Sequence, residues 1–452
     1  MSGVGVLRES RVQEWTLLGT QVPHAVTGVV AVAESRTLPG SGLRQSITGA
    51  VSLSGSSLLL NAISLPVMAY IIRSMGPGEY GEWVTATALV GAVGALAGCG
   101  LRPVFVRLVS RDPDAASDAV AHQFGASGVL AAAGALVALC VGLSLGYSRT
   151  VLIATAITAM GTVISVVPLT MGDLLQARLQ LTRMSAVNFG AGLLLTLSSV
   201  VAAWIGVGAI GMSMTYLVGP ITSAVLLLLF MRQLAFPIRI SLTRTRFRSQ
   251  LIEARFLAAQ NVANVLSAQL AWLMLPKLVG SVSYGMFAAG ALLASRLVVI
   301  PDSLATALYP LIAREYAVAP VNGARVVVKG LALGLLVCVP IAILAFFLAT
   351  QIAQVLFPTQ AAQCAYVIRM TMWGLPLWSI EFIMRYALTA AGKDALQLRQ
   401  NVISAAVMTP LTVALVVGWG LAGACWATIL TPVVRSLALL PAIVRTFRVA
   451  GR

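Results

Sequence analysis

Charge is what this sequence lacks most. Asp, Glu, Lys and Arg make up only 10% of its 452 residues, against roughly a quarter in a soluble domain. That excludes an ordinary water-soluble globular protein. Acids are scarcer still, 14 against 30 Lys and Arg, so the net charge is +16. Histidine is nearly missing: His24 and His122 stand alone in a tail and a loop. The five cysteines, Cys99, Cys140, Cys338, Cys364 and Cys425, fall in or beside apolar runs without metal-ligand spacing and read as small apolar residues. No metal or nucleophile constellation can be assembled, and no Walker A sequence is present. The sequence therefore predicts no cofactor, no metal and no enzyme. The basic residues sit between apolar runs without aromatic interleaving, which excludes nucleic acid as a partner.

What is abundant is apolar surface, 59% of all residues. A bilayer crossing needs about 20 apolar residues. Twelve stretches qualify: 49–72, 84–106, 123–146, 150–172, 186–206, 209–231, 258–279, 285–312, 326–350, 364–391, 400–418 and 421–444. The expected fold class is an all-α polytopic membrane protein with membrane lipid around it. Prolines inside the spans, Pro66, Pro168, Pro220, Pro276, Pro301, Pro340, Pro376, Pro410 and Pro432, are tolerable there because neighbouring helices re-satisfy the freed carbonyls, and each is a place to bend.

Orientation follows from the cations. With the N-terminus inside, 23 of the 30 Lys and Arg fall in cytoplasmic tails and loops. Four, Arg73, Arg149, Lys277 and Arg369, fall on the other side, and three, Arg296, Arg385 and Arg435, lie within spans. So lopsided a count places both termini in the cytoplasm and makes the span number even. The longest basic connection, from Arg232 to Arg255, reads as a linker with an amphipathic helix on the inner leaflet.

The chain also repeats itself. The hinge around Arg73, Gly76, Tyr80 and Gly81 recurs as Lys277, Gly280, Tyr284 and Gly285, each pair 204 residues apart. A basic residue, a turn glycine and Tyr-Gly suit a chain leaving and re-entering a bilayer. A second echo sets Gly206, Gly208, Gly211 and Pro220 against Gly418, Gly420, Gly423 and Pro432, 212 residues apart. Two echoes predict two six-helix lobes related by a pseudo-twofold axis along the membrane normal. The divisions are a disordered tail 1–45, a lobe 46–231, a basic cytoplasmic linker 232–257 and a second lobe with a short tail 258–452.

The run Gly76-Pro77-Gly78-Glu79-Tyr80-Gly81, an apolar helix, Gly98-Cys99-Gly100-Leu101 and Phe105-Val106-Arg107 resembles the start of polysaccharide exporters. These are the lipid-linked oligosaccharide flippases of the multidrug/oligosaccharidyl-lipid/polysaccharide (MATE-like) superfamily. That superfamily also holds the MATE antiporters and the lipid II flippases. The second hinge followed by Tyr309-Pro310-Leu311 is similar to the family's second-lobe start. The resemblance, over roughly 46–445, implies a central cavity between two lobes and alternating access by rocking. It implies an undecaprenyl-diphosphate-linked oligosaccharide as substrate, the cytoplasmic (inner) membrane as location and polysaccharide polymerase machinery as partner. Relatives often carry an acid about nine residues before the second hinge glycine. Here that region reads Ala271-Trp272, which points away from a cation-coupling site on that helix. The alternative is a MATE-like proton- or sodium-coupled antiporter.

Charged groups in mid-membrane are costly and mark function. Arg296 lies twelve residues into its span, about 18 Å along the helix, and has no acid at i±3 or i±4. With Arg435 it forms the candidate pair of substrate-binding cavity cations. Glu381 and Arg385, one turn apart, suit a helical ion pair or a gate, and Asp302 is a further gate candidate. Gln260, Asn261, Asn264 and Gln269 form a polar face on the seventh span.

Overall fold

The computed structural model describes residues 40–97, 101, 102, 105, 108, 109, 116–177, 180–233, 241–358 and 360–448. Among them every regular element is a helix. In chain order they are α1 Gly40–Ala97, α2 Ala116–Ser144, α3 Arg149–Ile164, α4 Val166–Ala177, α5 Leu181–Ile205, α6 Gly208–Thr215 and α7 Val218–Gln233. Then follow α8 Arg244–Leu297, α9 Val299–Val318, α10 Pro320–Leu356, α11 Ala361–Met372, α12 Gly374–Ala390 and α13 Asp394–Arg448.

These helices resolve into twelve crossings. Three long helices each turn back at a glycine: α1 at Gly76, α8 at Gly280 and α13 at Gly420. Each therefore supplies two crossings. Three other crossings are broken by proline, as α3/α4, α6/α7 and α11/α12, and the second limb of α8 is broken likewise and continues as α9. α2, α5 and α10 cross unbroken, and the first half of the chain supplies as many crossings as the second. Each proline break falls at the same place. Pro168, Pro220, Pro301 and Pro376 lie four residues beyond Ile164, Tyr216, Leu297 and Met372, where the preceding helix ends or is capped. A proline ring displaces the carbonyl four residues back and offers it no N–H, so the helix yields there.

Both hinges of the first echo have one backbone solution. Gly76 has φ 73°, ψ 168° and Gly280 has φ 80°, ψ 166°, a region only glycine enters without strain. The second echo is half kept: Gly208 and Gly420 both have positive φ, as does Gly206, whereas Gly418 does not.

One end of the bundle, the hinge face, gathers Gly76, Gly280, Gly420 and the α2–α3 turn. Gly420 lies against Val279, and Lys277 bonds the Gly146 carbonyl. The opposite end, the terminal face, carries the connection into α8 and the end of α13. The halves meet near the hinge face. One cluster joins Ile72 and Tyr80 to Met286, Ala289, Ala349, Ala353, Cys364 and Ile368. On the terminal face, among the described residues, the buried contact between halves is made by the start of α8. There Ala254, with Phe247 and Leu251, packs on Leu101 and Ala126. The linker is thus no separate helix on the leaflet: from Arg244 it is continuous with the seventh crossing, because nothing breaks the run and an i, i+4, i+7 apolar stripe docks it. Residues 1–39 and 234–240 lie outside the described residues, and the first helix already runs at Gly40.

Packing relies on small residues. The buried stripe of α10 is Gly323, Val327, Gly330, Gly334, Cys338, Ala342, Ala345, Ala349 and Ala353, which lets neighbouring backbones approach closely. Its other faces expose Leu336, Leu344 and Phe347, the lipid-facing complement.

Candidate functional site

At the hinge face the repeat becomes a contact. A Cβ on Gly81 would collide with the Ser281 carbonyl oxygen and lie 3.1 Å from the Gly285 nitrogen. A Cβ on Gly285 would collide with the Pro77 oxygen and lie 3.1 Å from the Gly81 nitrogen. Pro77 and Ser281 are themselves 204 residues apart. The pseudo-twofold axis therefore passes between Gly81 and Gly285, and two glycines let the hinges close backbone on backbone. Tyr80 and Tyr284, at 1% and 0% exposure, flank this point. Lys277 closes the seam beside it, donating to the Gly146 carbonyl at 2.6 Å with its ammonium 4.7 Å from the Tyr147 ring centre. Tyr147 donates to the Leu273 carbonyl at 3.1 Å, and burial pushes its phenol up to about 12. Arg73 is exposed.

Arg296 lies half-buried in the last turn of α8, just before the Pro301 break, and its neighbours Leu293 and Leu297 pack on the cluster that holds Ile72 and Tyr80 of the other half. It stands at the junction between the halves. Around it the exposed face of the crossing mixes Ser295, Ser303 and Thr306 with Val299, Ala307 and Leu311, and Asp302 is about half exposed.

The remaining candidates pair across helices. Arg385 does not take Glu381, one turn earlier on α12, as partner. It reaches Asp302 on α9 at 3.7 Å and lies 4.7 Å over the Phe382 ring. Tyr386 joins the group, accepting from Thr306 at 3.1 Å and approaching Asp302 at 3.5 Å. Glu381, only 4% exposed, faces Arg435 of α13 at 3.8 Å. Burial decides these choices: a carboxylate so enclosed needs a cation inside the bundle, and Arg435 is there, whereas Arg385 is turned toward α9. The side chains of Gln260, Asn261, Asn264 and Gln269 lie outside the described residues.

The first half holds a closer pair that the sequence reading did not single out. Arg102 gives Nε to both oxygens of Asp173 at 3.0 Å and Nη2 to Oδ1 at 2.6 Å, with Asp173 2% exposed. A legible signal existed. Asp173 and Glu381 each lie five residues beyond a kinking proline, Pro168 and Pro376, and both offsets are 208, between the 204 and 212 of the two echoes. One buried acid thus occupies the same place in each half. Its arginine comes from different helices, from position 102 in one half and 435 in the other. The counterpart of Arg435, 212 residues earlier, is Ser223.

Ser223 lines a chamber of about 370 Å³ with Arg102, Pro168, Gly172, Asn188 and Tyr216. A smaller, mostly apolar cavity of about 120 Å³ lies on the other side of Arg102 and Asp173, against α2. Arg102 follows Leu101, which packs on Ala254 at the terminal face.

This fold and this paired, polar interior define a multi-pass membrane protein of the MOP superfamily type. Residues 46–315, more than half of the chain, match the family described as polysaccharide biosynthesis protein, and the chain belongs to that family. Residues 257–414 also match the MatE family. No curated protein matches. Among solved structures, the lipid II flippase MurJ in an inward closed conformation superposes with a TM-score of 0.69 at 12% identity, covering 88% of this chain and 89% of that one. A MATE family multidrug transporter in an inward-facing conformation gives 0.67 at 12% identity, over 89% of this chain and 100% of that one. A MOP superfamily transporter from Pyrococcus furiosus, reported with a binding pocket of reversed polarity, gives 0.57 at 14% identity, over 91% and 99%.

Proposed function

We propose that this protein carries a lipid-linked oligosaccharide, its glycan joined to undecaprenyl through a diphosphate, across the cytoplasmic membrane for cell-surface polysaccharide synthesis. The observation that carries the reading is Arg296: a half-buried cation whose helix neighbours Leu293 and Leu297 pack into the cluster that joins the halves. Such a site can hold a diphosphate in a low-dielectric interior while the prenyl tail stays in lipid. Membership of the polysaccharide biosynthesis family supports a glycan cargo. The working units are lobes 46–231 and 258–452, joined by 232–257. The hinge face is external and both termini are cytoplasmic, as the 23-to-4 distribution of cations requires. Polysaccharide polymerase machinery would receive the cargo outside.

A second reading, proton- or sodium-coupled antiport as in MATE proteins, draws on the buried acids Asp173 and Glu381. Both face arginines, which favours an anionic cargo. The test is surface glycan in cells whose only copy carries Arg296→Lys or Arg296→Ala, with membrane protein level measured alongside. Arg296→Lys keeps the charge but loses the fork and should export partly; Arg296→Ala should not export. Full export by Arg296→Ala at normal protein level refutes the phosphate role and leaves the antiporter.

A further inference from the structure

The chamber beside Arg102 is built for a different chemistry from the Arg296 site. Among the described residues that line it the one formal charge is Arg102, and Asp173, on the wall of the smaller cavity behind it, offsets that charge. Both Asp173 oxygens accept from the guanidinium, and Nε and Nη2 are committed to it. What remains for a ligand is the Nη1 end of a fork held in place by a buried carboxylate. Around it stand an amide at Asn188, a phenol at Tyr216 and a hydroxyl at Ser223. Tyr216 also supplies a ring, with Pro168 and Leu169 as further apolar wall. Amide and hydroxyl groups both donate and accept. A free phosphate, acceptor-only and anionic, would find no net positive charge here. A sugar, with hydroxyls that donate and accept around an apolar ring face, matches every element.

Size and place agree. At about 370 Å³ the chamber is at the small end of small-molecule pockets, roughly 300–1,000 Å³, which suits a mono- or disaccharide. Its walls run from Tyr216, eight residues after Gly208 near the hinge face, to Arg102, next to Leu101 at the terminal face, so it lies inside the first half and on the path a cargo would take between the two faces. The second half does not repeat the lining, since its counterpart of Ser223 is Arg435, turned to Glu381. We infer that the N-terminal half carries a sugar-binding subsite, formed by Arg102, Asn188, Tyr216 and Ser223, that engages the carrier-proximal sugars of the substrate while Arg296 engages its phosphates. This rests on the lipid-linked glycan reading above.

The experiment uses the full chain, purified in lipid nanodiscs. Saturation-transfer NMR is recorded with a panel of glucose, galactose, mannose and N-acetylglucosamine, and inorganic phosphate is titrated separately. At least one sugar should show transfer. Ser223→Phe, which fills the chamber while keeping the Arg102–Asp173 pair, should abolish it without changing thermal unfolding. Tyr216→Phe, losing one neutral hydrogen bond, should weaken binding about fivefold. Arg102→Gln strips a buried carboxylate of its partner and can fail to fold, so Ser223→Phe carries the decision. No transfer from any sugar, or transfer unchanged in Ser223→Phe, overturns the subsite. Phosphate binding that depends on Ser223, without sugar binding, overturns its assignment to sugar. The function reading is tested separately: sugar binding with glycan export intact in a strain lacking the protein would refute export and leave the subsite. Export lost in that strain with no sugar binding would do the reverse.

Discussion

Gly81 offers the sharpest test of how this molecule opens. In the closed hinge, a Cβ at Gly81 would sit 2.8 Å from the Ser281 carbonyl carbon. Ordinary carbon contact is about 3.5 Å, so the Ser281 carbonyl must retreat by roughly 0.7 Å and its oxygen further. The obstacle is backbone, which cannot rotate away as a side chain can. Overpacking of this kind costs about 1–3 kcal/mol, and the cost exists only while the halves are closed at this end. The helix preference of Ala over Gly acts in both states and cancels. Gly81→Ala should therefore shift the equilibrium toward the hinge-open state by about 5- to 150-fold. Gly285→Ala should do the same by symmetry. The double variant should add less than the sum, because one contact is being relieved twice. The measurement is the distance distribution between spin labels at Arg149 and Gln360, exposed residues of the two halves near this end. A longer-distance population should grow in each variant. An unchanged distribution in correctly inserted Gly81→Ala would show that the glycine contact does not control opening.

Three further outcomes are expected. Reporter fusions at Arg239, Gly280 and Arg452 should read inside, outside and inside; a periplasmic signal at Arg239 would remove the two-lobe arrangement. Spin labels at Arg73 and Lys277, both exposed and paired by the repeat, should report equal immersion depth, and a difference beyond about one helical turn, roughly 5 Å, would make the hinge echo accidental. For the second half, a thermal-unfolding double-mutant cycle of Glu381→Gln and Arg435→Gln should show a coupling of about 1–3 kcal/mol, while Glu381→Gln with Arg385→Gln should be nearly additive. The opposite pattern would restore the within-helix pair.

Much was legible before any coordinates. Apolar run length and the near-absence of acids determined an all-helical membrane chain, because a bilayer accepts only segments that satisfy their own backbone. The spacing of Gly76 and Gly280 determined the hinges, because their backbone conformation is closed to other residues. Prolines marked where a crossing can bend, and Pro168, Pro220, Pro301 and Pro376 each break one four residues ahead of the ring, whereas Pro66, Pro276, Pro340, Pro410 and Pro432 sit inside continuous helices. Pairing was another matter. Glu381 and Arg385 looked like partners because they are one turn apart, yet each found another helix. Arg102 and Asp173 are 71 residues apart, and no local rule joins them. Which charge meets which depends on helix rotation and on how deeply each carboxylate is enclosed. The same is true of the chamber at Ser223: its walls come from four crossings, and a serine lines it where the other half places Arg435. Sequence determined the elements and their breaks through short-range backbone chemistry; only tertiary packing decided the ion pairs and the chamber, because their free energy depends on burial, which no single helix possesses.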